Sequence, residues 1–335
     1  MHRGVKAVDL FAGCGGVSLG LKQAGMDLLA SVEIEGDAVK SLAANNLEPL
    51  CADIRKPELI DDIDGHIDLL WASPPCQGWS KLGDRDGPNG SRNGYPWTLD
   101  IIDRLIEQGR GPRWVICENV VAVTSHSGEC RDGKALSSEC PGCWWDSVLV
   151  PAFKARFAWT RVVVLDAADY SVPQRRRRCF VIAGPHGIEL PTPTHQDPKK
   201  ISQLDMFACA RQPWNPMRVA LDSLEGKPWA DGKLGGTQRW RLDVPAPTVS
   251  ASEWRGSSDV AALKVQRTAD ALYLATGRPR LTTLEAGRLQ GFDDGFIGNL
   301  VGSRKAKDRQ IGNAVPPQLV EALARSVMEA DRCLK

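Results

Sequence analysis

Short apolar runs of strand length recur along this chain, and amphipathic stretches separate them. VKAVDLF (5–11), LLASVEI (28–34) and IDLLWAS (67–73) are followed by RWVICEN (113–119), RVVVLDA (161–167) and RCFVIAG (178–184). Each is mostly apolar and rich in β-branched residues, the pattern of a strand covered on both faces. Between them lie VSLGLKQAG, which stops at Gly25, then GDAVKSLAANN, and TLDIIDRLIEQG (98–109), which has helical period and a threonine at its start. This alternation predicts an α/β fold with a doubly wound, mostly parallel sheet. After Gly184 the texture changes: PHGIELPTPTHQDPKK is full of breakers, and no clean period returns before about residue 275. We read 185–275 as a separate smaller domain, with Trp214, Trp229, Trp240 and Trp254 in its core. Helical period resumes in TTLEAGRLQGF (282–292) and PPQLVEALARSVMEA (316–330), so 1–184 and 276–335 form the larger domain.

Composition narrows the class. The chain has 335 residues, enough for one large α/β domain and a companion. Hydrophobic residues make up 42% and charged residues 25%, as in an ordinary soluble globular protein. A net charge of +1 leaves no global basic field, so any contact with nucleic acid must come from a local patch. No apolar run approaches the ~18 residues of a membrane helix. The opening MHRGVKAVDLFAG passes straight into a strand-like run without a signal-peptide pattern. Ten cysteines at scattered spacings do not form a disulfide framework, which predicts a reducing cytoplasm and free thiols.

The first chemical signal is DLFAGCGG, between a predicted strand and helix. Gly13, Gly15 and Gly16 permit a sharp turn and close approach to a ligand, although many such turns serve only packing. Glu33, about 20 residues after Gly13 at the end of the second strand, is placed to accept hydrogen bonds from both ribose hydroxyls of a nucleoside cofactor. Asp53, in CADIR, lies about 20 residues further on, after a third strand. Val17, Ser18 and Leu19 follow the paired glycines, so the dinucleotide G-x-G-x-x-G pattern is absent. S-adenosylmethionine, with no pyrophosphate to cradle, fits better than NAD.

The second signal is SPPCQGWS, at the end of IDLLWAS. Pro74 and Pro75 stiffen the backbone and hold Cys76 in one orientation, which suits a nucleophile better than a buried structural thiol. Here the chain resembles the DNA cytosine-5 methyltransferases. The stretches that carry the resemblance are DLFAGCGG, VEIEGDA, ADI, SPPCQGWS, ENV (118–120), QRRRR (174–178), RLTTLEAGRLQGF and QIGNAVPP (310–317), in the family's order.

The resemblance implies a Rossmann-like S-adenosylmethionine-dependent methyltransferase fold with a target-recognition domain at 185–275. It implies methyl transfer to C5 of a cytosine flipped out of duplex DNA at a short specific sequence, through a covalent bond from Cys76 to C6. Glu118 would serve N3 of the base. The Gln-x-Arg-x-Arg pattern maps onto Gln174, Arg176 and Arg178; Arg178 would hold the base oxygen beside the thiol, and Arg176 would lock a loop or meet a phosphate. Phe11 would stack on adenine, with Gly13, Cys14, Gly15, Gly16, Glu33, Ile34, Asp53, Ile54, Pro75, Leu99, Asn313 and Ala314 completing the cofactor site. No metal is assigned to catalysis. The implied partner is double-stranded DNA, with a restriction endonuclease acting separately; the chain is expected to be a monomer without membrane contact.

KLGDRDGPNGSRNGYPW (81–97) is rich in Gly, Asp and Asn and has the length of a lid. In the family this loop closes over DNA, which makes Gln77, Ser80, Arg85 and Arg92 candidates for loop or DNA contacts. GGTQRWRLDVPAPTVSAS (235–252) resembles the family's recognition core; Arg239, Arg241 and Arg255 would read guanine edges or position phosphates. Two departures stand out. Trp79 occupies a position where phenylalanine is commoner. Residues 123–147 read as an insert, in which His126, Cys130, Cys140 and Cys143 have a spacing compatible either with four-coordinate zinc or with free surface thiols. Two other functions compete: a tRNA cytosine-5 methyltransferase of the same family, against which the long recognition segment argues, and a non-catalytic DNA-binding homologue, against which the intact Cys76, Glu118 and Arg178 argue.

Overall fold

The computed structural model describes residues 4–75, 90, 93–126, 130, 140–200, 211–221, 244–246, 248–249 and 281–334. Seven strands form the central sheet: β1 (Lys6–Leu10), β2 (Asp27–Glu33), β3 (Pro49–Cys51), β4 (Leu69–Ala72), β5 (Trp114–Val120), β6 (Trp159–Asp166) and β7 (Arg177–Gly184). Their order is β3-β2-β1-β4-β5-β7-β6. The pairs from β3 through β5 are parallel, and β7 runs antiparallel to both of its neighbours. The predicted α/β fold with a mostly parallel sheet is therefore present.

Alternate strand residues face opposite sides, and each side has its own helices. On one, Val8, Leu10, Leu70, Val115 and Val181 pack against Tyr95, Ile101, Ile102 and Leu105 of α3 (Tyr95–Glu107). On the other, Ala7, Leu69, Trp71, Ile116 and Phe180 pack against α1 (Gly16–Ala24) and the C-terminal helix (Pro317–Arg332). Gly25, at φ 91°, ends α1 and returns its N–H to Leu21 and Lys22, as its position in the sequence predicts. α3 begins at Tyr95, before the expected threonine. Pro96 sits in the first turn, and Thr98 donates back to Gly94 O at 2.9 Å instead of capping. α2 (Gly36–Ala44) follows β2.

The stretch read as an insert contains regular structure at its end. α4 (Pro141–Trp144) continues through a π-helical turn (Trp145–Leu149) into α5 (Val150–Arg156). Pro151 lacks an N–H, and the widened turn before it relieves the missing bond. Trp145, Leu149 and Phe153 belong to the core beneath the sheet.

The C-terminal part carries α6 (Thr283–Leu289), α7 (Asp294–Gly298), α8 (Arg304–Asn313) and α9 (Pro317–Arg332). α6 opens on a reciprocal capping box between Thr282 and Glu285. Part of 185–275 lies against these helices: Met217, Ala220, Leu221, Ala246 and Val249 share a core with Leu289, Phe292, Phe296 and Ile311. A short parallel pair, β8 (His195–Gln196) with β9 (Gln212–Pro213), precedes them. Trp214 does not fill a small-domain core. It donates from Nε1 to Asp169 at 2.8 Å, and the Arg175 guanidinium stacks over its ring at 4.2 Å, both on the sheet domain. Trp229, Trp240 and Trp254 lie outside the described residues. No helix among the described residues is long and apolar enough to cross a membrane.

Candidate active site

The neighbours β1 and β4 are where the strand order reverses. From β1 the chain proceeds toward β2, and from β4 toward β5, which opens a crevice at their carboxyl ends. Both chemical motifs begin there.

After β1 the backbone turns through Phe11 (φ 61°), Gly13 (φ 55°) and Gly15 (φ 98°) into α1. The three glycines have different duties. A Cβ on Gly13 would meet nothing within 4 Å, so this residue faces open space. A Cβ on Gly15 would strike the Leu47 and Leu42 side chains. A Cβ on Gly16 would lie 2.3 Å from Val315 O and 3.3 Å from both Ala314 and Phe292. Gly16 thus exists to let α1 touch the GNAVPP turn. Cys14 joins the same contact: its thiol is buried, points at Gln310 O at 3.5 Å, and burial pushes it up to about 12. Asn313 is exposed and Ala314 half-buried beside it.

Glu33, at the end of β2, is tied to the glycine turn. Its Oε2 accepts from Gly13 N–H at 2.8 Å, and Oε1 accepts from Ile34 and Glu35 N–H at 2.8 and 2.9 Å. Burial raises its carboxyl despite these bonds. Beside it Ile34 is 57% exposed, an apolar side chain standing uncovered at the crevice. Ile54 is buried, whereas Asp53 has turned both carboxylate oxygens to Arg55, at 2.7–3.1 Å, which holds it below the usual carboxylate range. Phe11 and Leu99 pack, partly buried, on the core that includes α3; Pro75 is half-buried next to Gly94.

One strand over, Glu118 sits near the end of β5 and Arg178 near the start of β7, two positions apart across the antiparallel ladder. Arg178 Nε is 2.9 Å from Glu118 Oε1, and both side chains are nearly buried. Desolvation raises the Glu118 carboxyl, with Arg178 and then Arg176 opposing it. Asn119 donates from Nδ2 to Pro74 O at 3.1 Å, which fastens the Pro-Pro stretch after β4 to β5. Arg176 is buried and donates to Val249 O and Gly312 O, each at 2.9 Å. It therefore positions backbone, and its charge also acts on the Glu118 carboxyl. Gln174 works alongside it, donating to Leu289 O and accepting from Val249 N–H at 2.9 Å.

Cys76, Gln77, Trp79, Ser80, Arg85, Arg92, Arg239, Arg241 and Arg255 lie outside the described residues. Three residues to which the sequence assigned no role emerge from the structure: Asp9, Asn119 and Gln174. A charged residue inside an otherwise apolar strand was the available signal for Asp9, which is fully buried under the glycine turn and receives both the N–H and Oγ–H of Ser18.

Reversal of β7 between β5 and β6, beside a glycine turn tied to an acid on β2, is the architecture of the S-adenosylmethionine-dependent methyltransferases. Within that class the family model for C-5 cytosine-specific DNA methylase matches residues 5–211 and 227–329, and the chain belongs to this family. It is a DNA cytosine-5 methyltransferase. Type II methyltransferase M.AplI of Arthrospira platensis is 31% identical over 327 residues, covering 96% of this chain and 84% of that protein. Type II methyltransferase M.NgoMIV of Neisseria gonorrhoeae is 27% identical, covering 97% of each. Among solved structures, the fold is similar to that of the Entamoeba histolytica methyltransferase EhMeth (TM-score 0.64, 14% identity, 100% of each chain). It is also similar to that of the S. pombe Dnmt2 methyltransferase (TM-score 0.61, 16% identity, 97% of this chain and 99% of that one).

Proposed function

We propose that the protein methylates C5 of a cytosine held outside the duplex, through a transient bond between Cys76 and C6, and that its cofactor is S-adenosylmethionine. The observation that carries this reading is the buried Glu118–Arg178 pair beside the Pro74 carbonyl, which Asn119 holds, two residues before the thiol.

The cofactor site fits a nucleoside. Open space at Gly13, the Glu33 oxygens with lone pairs left over, and the uncovered Ile34 supply room, a ribose partner and an apolar wall. S-adenosylmethionine, when bound, supplies a methyl group on a sulfonium sulfur. The remaining chemistry belongs to the chain. Cytosine C5 is a weak nucleophile until the Cys76 thiolate adds to C6. The ring then gains electron density toward N3, where Glu118 delivers a proton. A carboxyl raised by burial retains that proton near neutral pH better than an exposed one. Arg178 orients the carboxyl and offers a cation to the base oxygen. C5, now an enamine carbon, takes the methyl group. A water molecule takes the C5 proton as the sulfur leaves C6 as thiolate, which restores the ring, and the N3 proton returns to Glu118.

In this reading residues 185–275 choose the DNA sequence, with Arg239, Arg241 and Arg255 near the bases or phosphates. Gln77, Ser80, Arg85 and Arg92 serve the loop that closes on the flipped nucleotide. The Type II relatives support a place in restriction-modification. A duplex carrying 5-fluorocytosine at the target position, incubated with S-adenosylmethionine, should yield a denaturant-stable adduct through Cys76, because fluorine cannot leave C5 as a cation. Cys76→Ala should fold normally and form no adduct. Wild-type turnover by the alanine variant refutes the covalent route. Bisulfite sequencing of DNA from expressing cells identifies the site.

A further inference from the structure

The chain bends back just beyond the Glu118–Arg178 pair. A 3₁₀ turn (Val121–Thr124) follows β5, His126 comes next, and Cys140 and Cys143 bracket the start of α4. The ligand atoms of His126, Cys140 and Cys143 all lie within 4.8 Å of one another. His126 Nδ1 is 3.6 Å from Cys143 Sγ and 3.9 Å from Cys140 Sγ. The Cys130 thiol, outside that 4.8 Å set, interacts with both Cys143 and Cys140. All of these thiols are free.

As an arrangement of neutral groups this gains little, because a thiol is a weak donor and a weak acceptor. As a coordination shell its dimensions are right. Zinc–sulfur bonds of about 2.3 Å and zinc–nitrogen bonds of about 2.0–2.1 Å in a tetrahedron separate nitrogen from sulfur by about 3.6 Å. The observed separations of 3.6 and 3.9 Å are close to that edge. The histidine is also oriented as a ligand. Its Nδ1 faces the sulfurs while Nε2 lies 3.2 Å from Asp146 Oδ2. A carboxylate at that distance keeps the proton on Nε2 and leaves the Nδ1 lone pair for a metal. The backbone is cut to the same shape. Gly142, inside the Cys-x-x-Cys turn, donates to Ser125 O at 3.2 Å, and a Cβ there would lie 2.8 Å from the His126 ring. Any larger residue would push the imidazole off the turn.

We propose that His126 Nδ1 and the sulfurs of Cys130, Cys140 and Cys143 bind one structural zinc ion. Four protein ligands close the tetrahedron, so the ion holds structure and does no chemistry. Each cysteine gives up its proton as its sulfur bonds to the metal. What the ion holds is defined by the next turn of the chain. Trp144 and Trp145 lie against Tyr95, with ring centroids 5.7 and 6.0 Å away, and Tyr95 is the first residue of α3. The site therefore fastens the segment after Glu118 to the point where the chain returns from the Cys76 loop.

Metal analysis of the full-length, untagged protein, purified without chelator from zinc-supplemented medium, tests this. About one zinc per chain should survive gel filtration. A mercurial should release it in step with thiol modification. Cys143→Ser should lose the ion, and Cys51→Ser, at an exposed thiol on β3, should keep it. Asp146→Asn should keep the stoichiometry and weaken affinity about 10–100-fold in chelator competition. X-ray absorption should show three sulfurs and one nitrogen. Wild-type zinc below about 0.2 equivalents, iron in place of zinc, or a Cys140–Cys143 disulfide overturns the assignment, whatever the variants do.

Discussion

Asp9→Asn isolates the cost of a buried acid beneath the cofactor turn. Asp9 is wholly enclosed in β1; its Oδ2 accepts from Ser18 N–H at 3.1 Å and Oγ at 2.6 Å, and Oδ1 has no hydrogen-bond partner among the described residues. Burial pushes the carboxyl up to about 7, against the pull of the Ser18 bonds. An aspartate in an unfolded chain titrates near 3.9, and each pKa unit is worth about 1.4 kcal/mol, so ionised Asp9 costs the folded state about 4 kcal/mol. The sign follows from linkage. The folded protein holds the proton more tightly, so the stability this group contributes is complete below about pH 4 and is lost as pH rises to about 7. Roughly 3 kcal/mol of that loss falls between about pH 5 and pH 8. Asparagine has the same shape and does not titrate. Urea unfolding of both proteins across that range should show the variant gaining on the wild type by about 3 kcal/mol as pH rises. A stability difference that stays constant with pH refutes the reasoning.

Three further outcomes follow from the site. Glu118→Gln should bind cofactor normally but lower the single-turnover methylation rate about 10²–10⁴-fold, the usual worth of a positioned proton donor; an unchanged rate removes Glu118 from the chemistry. Wild-type activity should also fall as pH rises through the elevated titration of that carboxyl, and a pH–rate profile in which the glutamine variant keeps the same limb contradicts this. Gly16→Ala should cost about 1–3 kcal/mol in urea unfolding through its clash with Val315 O, whereas Gly13→Ala should cost about 1–2 kcal/mol through its positive φ alone and weaken cofactor binding more; equal effects on both measurements refute the division of labour between the glycines.

The strands were readable because parallel strands buried on both faces are nearly continuous apolar runs, as in IDLLWAS and WVICEN. The reversed direction of β7 was not readable, since RCFVIAG has the same composition either way; its direction follows from where the chain crosses, not from its residues. α8 escaped notice because RKAKDRQIGN shows almost no apolar face; Ser303 caps it, and its burial rests on Gln310, Ile311 and Gly312. α4 and α5 were obscured by a proline and a π-helical turn, which break the helical period. At the candidate site, Glu33, Glu118 and Arg178 stand in motifs that the sequence displays. The duties of Asn119 and Gln174 could not be read there, because each binds a backbone carbonyl or amide contributed by a distant part of the chain.

Met217 N–H donates to Val244 O at 2.9 Å, so the chain that departs after Leu221 comes back beside its own starting point. Ala246 then exchanges hydrogen bonds with Pro173 and Arg175, and the Arg176 guanidinium clasps Val249. The described residues on either side of 222–243 thus form a buckle. Doubling the length of a flexible closed segment costs only about 0.6 kcal/mol. A segment grafted in place of 222–243 that keeps these two ends leaves every described contact of the buckle in place. If the stretch chooses the DNA sequence, as proposed above, exchange at this one point changes that choice and leaves Glu118 and Arg178 where they are.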